Sequence, residues 1–316
     1  MINIAFPTIA ANTKEDAALD VLADILAGSQ GSPFYKAFVE SKKAVSASAY
    51  QYSRELAGQF QIVIRANQGA SLTNMETDIK TVLTEWEKKG VTDDDLLKYK
   101  TQFQSRLYEQ VSTVQGKGAR LASYFTLTKN ANNLKGEINR YMSLTKQDIM
   151  NVYSTYIKNK PAVILSCLTK GKGDLRVKED NWKMYERKVE SESAEYKNLT
   201  YSEPKDDFPR SQMPLQKPAI AVPVPNFYQQ KLANNISLIG VSENEIPKVN
   251  ILLSFKAGHR YEPKDKSGLS QLLAAMLEQS SQKTSAEEIE NKLNRLGSSV
   301  YFGSGDEDFN ISINSL

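Results

Sequence analysis

Six of the eleven prolines fall between Pro204 and Pro225, at positions 204, 209, 214, 218, 223 and 225. Proline removes a backbone donor and fixes φ, so no helix or central strand survives that density. The cluster divides the 316 residues into three parts: 1–170, a connector over 171–225, and 226–316. The connector's first half is highly charged and carries Trp182, Tyr185, Tyr196 and Tyr201, with one helix expected near 178–190. It reads either as a solvated tether or, because of those aromatics, as a strap lying along a folded surface.

Residues 1–170 read as an α+β unit. Ile2 to Phe6 is an apolar strand, and Thr13 with Asp16 gives a variant capping box for a helix that carries Ala18, Val21, Leu22 and Ile25 and ends at Gly28. Ser32-Pro33 opens a second helix with Phe34 and Phe38 on its buried face. Strands are expected over 45–52 and 58–66, the second alternating Phe60, Ile62, Ile64 and Ala66 with polar residues. Ser71 starts a helix that Gly90 closes, Thr92 caps a long one, and further helices follow near 117–127 and 146–158. Ala162 to Leu168 reads as a buried strand containing Cys167 as a core residue.

Residues 226–316 repeat the opening of this unit. A strand over Val249–Phe255, helices over 268–279 and 285–296, and strands over 298–303 and 308–313 reproduce the order strand, helix, helix, strand, strand. The second copy stops where the first goes on into its covering helices. A half-covered sheet leaves an apolar face in water. The expectation is therefore two related domains of mainly antiparallel sheet packed with helices, the second incomplete, in a segment of a longer protein cut at both ends. Self-association through the incomplete domain is one consequence.

Composition narrows the chemistry. Lysine and arginine total 40 against 37 aspartate and glutamate, a net charge of +3 that gives nucleic-acid binding no support. No run of about 20 apolar residues is present, so no membrane span is expected. The first residues lack the basic-then-apolar order of a signal peptide. One cysteine excludes an intrachain disulfide, and one histidine, His259, excludes a complete two-histidine metal site. His259 reads as a structural or solvent-facing loop residue. Asp93, Asp94 and Asp95 read as the first turn of a helix, where carboxylates complement the dipole. Asp306, Glu307 and Asp308 read as a turn without calcium-loop spacing, and Gly28 to Pro33 as an interhelical loop. Bottom-up, no complete active site and no metal site is visible. Asn198, Asn235 and Asn310 begin Asn-x-Ser/Thr triplets, which matter only in a glycosylating host.

Several segments carry a resemblance. Gly268-Leu269-Ser270-Gln271-Leu272-Leu273-Ala274-Ala275-Met276-Leu277 resembles the motif helix of the insulinase/pitrilysin (inverzincin) zinc metallopeptidases, which read Gly-Leu-Ala-His-x-x-Glu-His-Met-Leu there. Thr284 to Ile289 with Leu293, Leu296 and Gly297 resembles the family's next helix, and Leu232 to Asn235 and Ala257-Gly258 its opening strands. Phe6-Pro7-Thr8, Ala18 to Leu22, Gly31 to Tyr35, Gly90-Val91-Thr92 and Leu144 to Ile149 resemble the family's second domain.

The departure lies in the chemistry. The family's two histidines fall on Gln271 and Ala275 and its glutamate on Ala274. In H-x-x-E-H two imidazoles hold zinc and the glutamate acts as general base on zinc-bound water. This copy lacks all three groups, and Leu272, Leu273, Met276 and Leu277 are expected to be plain core packing. The resemblance implies a non-catalytic central segment of a zinc endopeptidase that cleaves peptides in a chamber between two halves, with zinc held elsewhere in the parent. Residues 1–170 are then the second domain, 171–225 the interhalf linker and 226–316 the start of a degenerate third. Its partners are peptide substrates and the flanking domains. The alternative is a scaffold or peptide-binding relative, in which the strand around Ala49, Tyr50, Gln51 and Tyr52 pairs with an extended peptide. The compartment stays open, with a periplasmic or cell-envelope setting favoured if the source is bacterial.

Overall fold

A computed structural model of the protein describes residues 1–183, 185–186, 198–203, 205, 207, 211–213, 215 and 224–316. Met1–Glu179 and Ile246–Leu316 pack as one compact unit, and Asp180–Glu245 form a second.

The first repeat runs β1 (Ile2–Thr8), α1 (Lys14–Ala27), a π-helical turn over Tyr35–Glu40, β2 (Ala44–Ser53) and β3 (Gly58–Ala66). Five more helices follow: α2 (Leu72–Lys89), α3 (Asp93–Gln110), α4 (Val114–Thr128), α5 (Leu134–Met142) and α6 (Lys146–Val152). The last passes into a π-helical turn and then β4 (Val163–Ser166). All pairings are antiparallel in the order β2-β3-β1-β4, with Ile2 opposite Ile64 and Phe6 opposite Phe60. Ile2, Ile4 and Phe6 with Phe60, Ile62 and Ile64 form one buried face, and Leu19, Leu22, Leu26, Phe34 and Phe38 are fully buried with them. Each such side chain contributes on the order of 1.5–3 kcal/mol.

Helix starts follow their capping chemistry. Thr92 and Asp95, and Thr145 and Asp148, form reciprocal capping boxes. At α1 the Thr13 side chain accepts from Asp16 N, but the Asp16 carboxylate reaches Asn12 N rather than Thr13 N, so the box closes one residue early. The helix expected near 117 begins at Val114, capped by Thr113.

This unit departs from the sequence reading at three places. α5 was unforeseen: its N-cap Asn133 makes no side-chain cap bond, and Gly136 interrupts the pattern. β4 is an edge strand, not a buried one, with Val163, Ile164 and Leu165 exposed. Cys167, just beyond it, is exposed rather than core.

Within Asp180–Glu245, β5 (Phe227–Lys231) and β6 (Ser237–Val241) pair as an antiparallel hairpin, its turn using Asn235 at φ 66°. The helix expected near 178–190 is absent from 178–183, and residues 187–190 lie outside the described residues. Trp182, Tyr185 and Tyr201 are exposed, and Tyr196 lies outside the described residues.

The second repeat reproduces the first: β7 (Val249–Phe255), α7 (Leu269–Leu277), α8 (Ala286–Leu296), β8 (Ser299–Ser304) and β9 (Phe309–Ser315). Its sheet order, β8-β9-β7, is that of β2-β3-β1, with Val249 opposite Ser315 and Phe255 opposite Phe309. Its covering differs. Leu272 (59% exposed), Leu273, Met276 (61%) and Leu277 lie open, against the expectation of core packing. The reason is geometric. α1 is enclosed by its sheet and by α3, α5 and α6, whereas α7 packs chiefly on β8.

Candidate functional site

The motif-like helix α7 starts without a side-chain cap of its own, from Gly268 at φ +93°. Glu262 supplies the missing acceptor. Its carboxylate takes Gly268 N and Ser270 N, each at 2.8 Å, and the Ser270 hydroxyl. These bonds, the Ser270 hydroxyl foremost, hold Glu262 down to a pKa of about 2. His259 Nδ1 lies 3.1 Å from Glu262 Oε1 and 3.2 Å from Ser270 Oγ, while Ser304 on β8 donates to Ser270 at 2.7 Å. Serine, histidine and glutamate thus meet, yet both partners approach the same ring nitrogen. The imidazole cannot take a proton from Ser270 on one nitrogen while Glu262 steadies the other, as a triad requires. Ser270 is also buried. The cluster is a helix cap.

Gln271 and Ala275 lie one turn apart on the exposed side of α7, and Ala274 is buried, 7% exposed. The three motif positions therefore offer one amide and two methyl groups. Zinc takes imidazole, thiolate or carboxylate, so these residues do not fit it. Among the described residues no grouping of three or more His, Cys, Asp or Glu side chains could hold a metal ion.

The strand picked out for peptide contact, β2, is an edge of the four-stranded sheet. An edge strand presents backbone N–H and C=O groups along its outer side. Tyr50 (42% exposed) and Tyr52 (48%) stand on the face away from the core, while Ala49 and Gln51 turn toward it. The two rings are held. Tyr50 OH donates to Gln61 Oε1 at 2.7 Å, an oxygen that also accepts from Asn3 Nδ2 at 3.1 Å. Arg54 lies over the Tyr52 ring at 5.1 Å and donates to its hydroxyl. On the inner side Gln51 Nε2 donates to Thr8 and Ser53 hydroxyls, both at 2.7 Å. Gln51 Oε1 is buried without a partner. Gly58 makes this packing possible, because a Cβ there would fall 2.5 Å from Ile9 O and 2.8 Å from Gln51 Nε2. The structure thus brings Ala49–Tyr52 together as one fixed edge and places Gln271, Ala274 and Ala275 on a different sheet's helix.

The remaining candidates are structural. Asp93, Asp94 and Asp95 form the first turn of α3. Gly305 N donates to Asp308 O across the turn holding Asp306 and Glu307. The loop from Gly28 to Pro33 binds a carboxylate of its own chain, Gln30 N donating to Glu290 at 2.9 Å. What the residue pattern did not reveal is a ladder of Asp16, Asp20 and Asp24 along the mostly apolar α1. Arg140 of α5 meets Asp16 at 3.0 Å and Tyr141 OH meets Asp20 at 2.6 Å. The i, i+4, i+8 spacing of three carboxylates among buried residues was the available signal.

With this geometry in place, two family models match the chain. Residues 1–103 match the peptidase M16 inactive domain, and residues 239–309 match insulinase (peptidase family M16). Both matched segments belong to peptidase family M16. The motif-like helix lies inside the second matched segment. No curated protein matches it. Solved structures resemble it at low identity. A protease from Helicobacter pylori is 18% identical, over 52% of this chain and 40% of that one, with a TM-score of 0.47. A peptidase M16 inactive domain from Pseudomonas fluorescens is 16% identical, over 52% and 39%, with a TM-score of 0.43. The periplasmic protease PqqL from Escherichia coli is 13% identical, over 99% of this chain and 36% of its own length, with a TM-score of 0.40. The matched part of the chain therefore spans less than half of each. No helix among its described residues is long and apolar enough to cross a membrane.

Proposed function

We propose that this chain is the non-catalytic central segment of a zinc metalloendopeptidase that cleaves peptides in a chamber between two halves. Residues 1–170 serve as the second domain, 171–225 as the linker and 226–316 as the start of a degenerate third domain. The observation that carries this is α7: the helix is kept, with Glu262 capping it, while Gln271, Ala274 and Ala275 replace every group that would bind zinc or act as base. The exposed Leu272, Leu273, Met276 and Leu277 are the surface on which a flanking domain of the parent would close. Incubation of this chain with a quenched fluorogenic peptide library and added zinc should give no hydrolysis above a chain-free control. Turnover that a chelator abolishes would overturn the proposal.

A second reading is favoured by one observation, the open edge of β2 beside Tyr50 and Tyr52. An extended peptide would add a strand there, its backbone pairing with β2 and its alternate side chains meeting the tyrosines. Gln51→Pro removes a strand donor and fixes φ. It should abolish peptide binding measured by fluorescence anisotropy, and unchanged affinity in a folded variant would remove the idea.

A further inference from the structure

Within the unit formed by Met1–Glu179 and Ile246–Leu316, a cleft of about 840 Å³ lies among the end of α1, the loop 28–33, the α2–α3 junction and α8. Small-molecule sites enclose roughly 300–1,000 Å³. Most charged groups on its wall are committed to one another. Lys36 holds Glu287 at 2.9 Å, and Lys98 reaches Asp94 at 3.3 Å and Asn291 at 2.9 Å. Arg295 grips Asp94 with two nitrogens, and Asp95 serves the Thr92 cap. Glu85 and Lys89 are exposed at the rim.

Asp24 is the exception. It is recessed in the cleft wall, and among the described residues no side-chain hydrogen bond or ion pair reaches its carboxylate. Gly28 clears the space it occupies, since a Cβ at that position would lie 2.5 Å from Asp24 Oδ1. Burial pushes its pKa up. The charged groups facing it are Arg106, Lys98 and Asp95 of α3 and Glu290 of α8, and they act through space only. The half-buried carboxylate borders the open volume, where a cation could pair with it. The wall beside it is apolar, formed by Ile25, Ala37 and Val82. A metal ion would need further ligands grouped around Asp24, and the described residues provide no such group.

We infer that this cleft binds a small aliphatic amine or guanidine, the cationic head on the Asp24 carboxylate and the alkyl chain along Ile25, Ala37 and Val82. The probe is agmatine, titrated into the full chain by calorimetry, with 1-pentanol as the uncharged control. Agmatine should bind saturably at one site and pentanol should not. Asp24→Asn should weaken agmatine at least tenfold, the loss of one charge-assisted bond. In the unaltered chain the affinity should fall as the pH is lowered from 8 to 4, as protons take the place of the ligand on Asp24, so a misfolded variant does not end the test. Absence of saturable binding, equal affinity in folded Asp24→Asn, or affinity independent of pH would each overturn the inference.

Discussion

Replacing Asp20 by asparagine should make the protein more stable at pH 8 while changing little at pH 4. Asp20 sits within the apolar surroundings of α1, with Tyr141 OH donating to its Oδ2 at 2.6 Å. Burial is the main cause that raises its pKa from 3.8 to about 7. Asp16 adds to the rise, and the Tyr141 bond, Arg140 and Arg106 oppose it. A raised native pKa means the folded protein holds this proton more tightly than the unfolded chain does. The stabilisation is fully present below the unfolded value, near 3.9, and is lost as pH climbs through about 7. About three pH units at 1.36 kcal/mol each give a loss on the order of 4 kcal/mol. Asparagine keeps an oxygen for Tyr141 OH and removes the titration. Asp94, Asp148 and Glu262, all with lowered pKa values, slope the opposite way but are common to both proteins. The difference between variant and parent therefore isolates Asp20. Urea unfolding at pH 4, 6 and 8, followed by the fluorescence of buried Trp86 against Tyr153, measures it. Parallel stability curves for parent and variant, or a variant less stable at pH 8, would refute the reasoning.

Gln271→His with Ala275→His places two imidazoles one turn apart on the exposed side of α7. Zinc at 100 times its dissociation constant should then stabilise the variant by about 2.7 kcal/mol, read as a rise in melting temperature that the parent does not show. Adding Ala274→Glu puts a carboxylate at a position only 7% exposed and should cost about 1–3 kcal/mol without metal; a variant as stable as the double histidine would contradict that burial. Cys167 should react with a disulfide reagent in the folded state at close to the rate seen in urea, because it is exposed beside an edge strand. Strong protection in the native protein would mean that β4 is covered.

The repeat was readable because its signals are local. Alternating Phe60, Ile62 and Ile64 against Ile2, Ile4 and Phe6 specify one buried face, and Ser285 with Glu288 or Thr92 with Asp95 mark helix starts three residues apart. What covers an apolar run is not local. Leu272, Leu273, Met276 and Leu277 read like the buried side of α1, yet no helix among the described residues encloses them as α5 and α6 enclose α1. The same limit turned Val163–Leu165 from a supposed core strand into an exposed edge. α5 escaped notice because Asn133 gives no cap bond and Gly136 weakens the helical pattern. With α5 went Glu137, Arg140 and Tyr141, the partners of Asp16 and Asp20 and of Tyr124 and Arg120. At the candidate site, Gln271, Ala274 and Ala275 were legible as absent chemistry from residue type alone. The edge position of β2 needed the sheet order, and the unpaired Asp24 needed the cleft.

The central claim is that α7 is a motif helix without metal chemistry. Its most direct test is the zinc content of the purified chain after equilibrium dialysis against micromolar zinc, measured by mass spectrometry with a chelator-treated control. The account predicts well under one zinc per chain and no change in melting temperature. One tightly held zinc per chain, lost when Gln271 or a neighbouring α7 residue is altered, would contradict it.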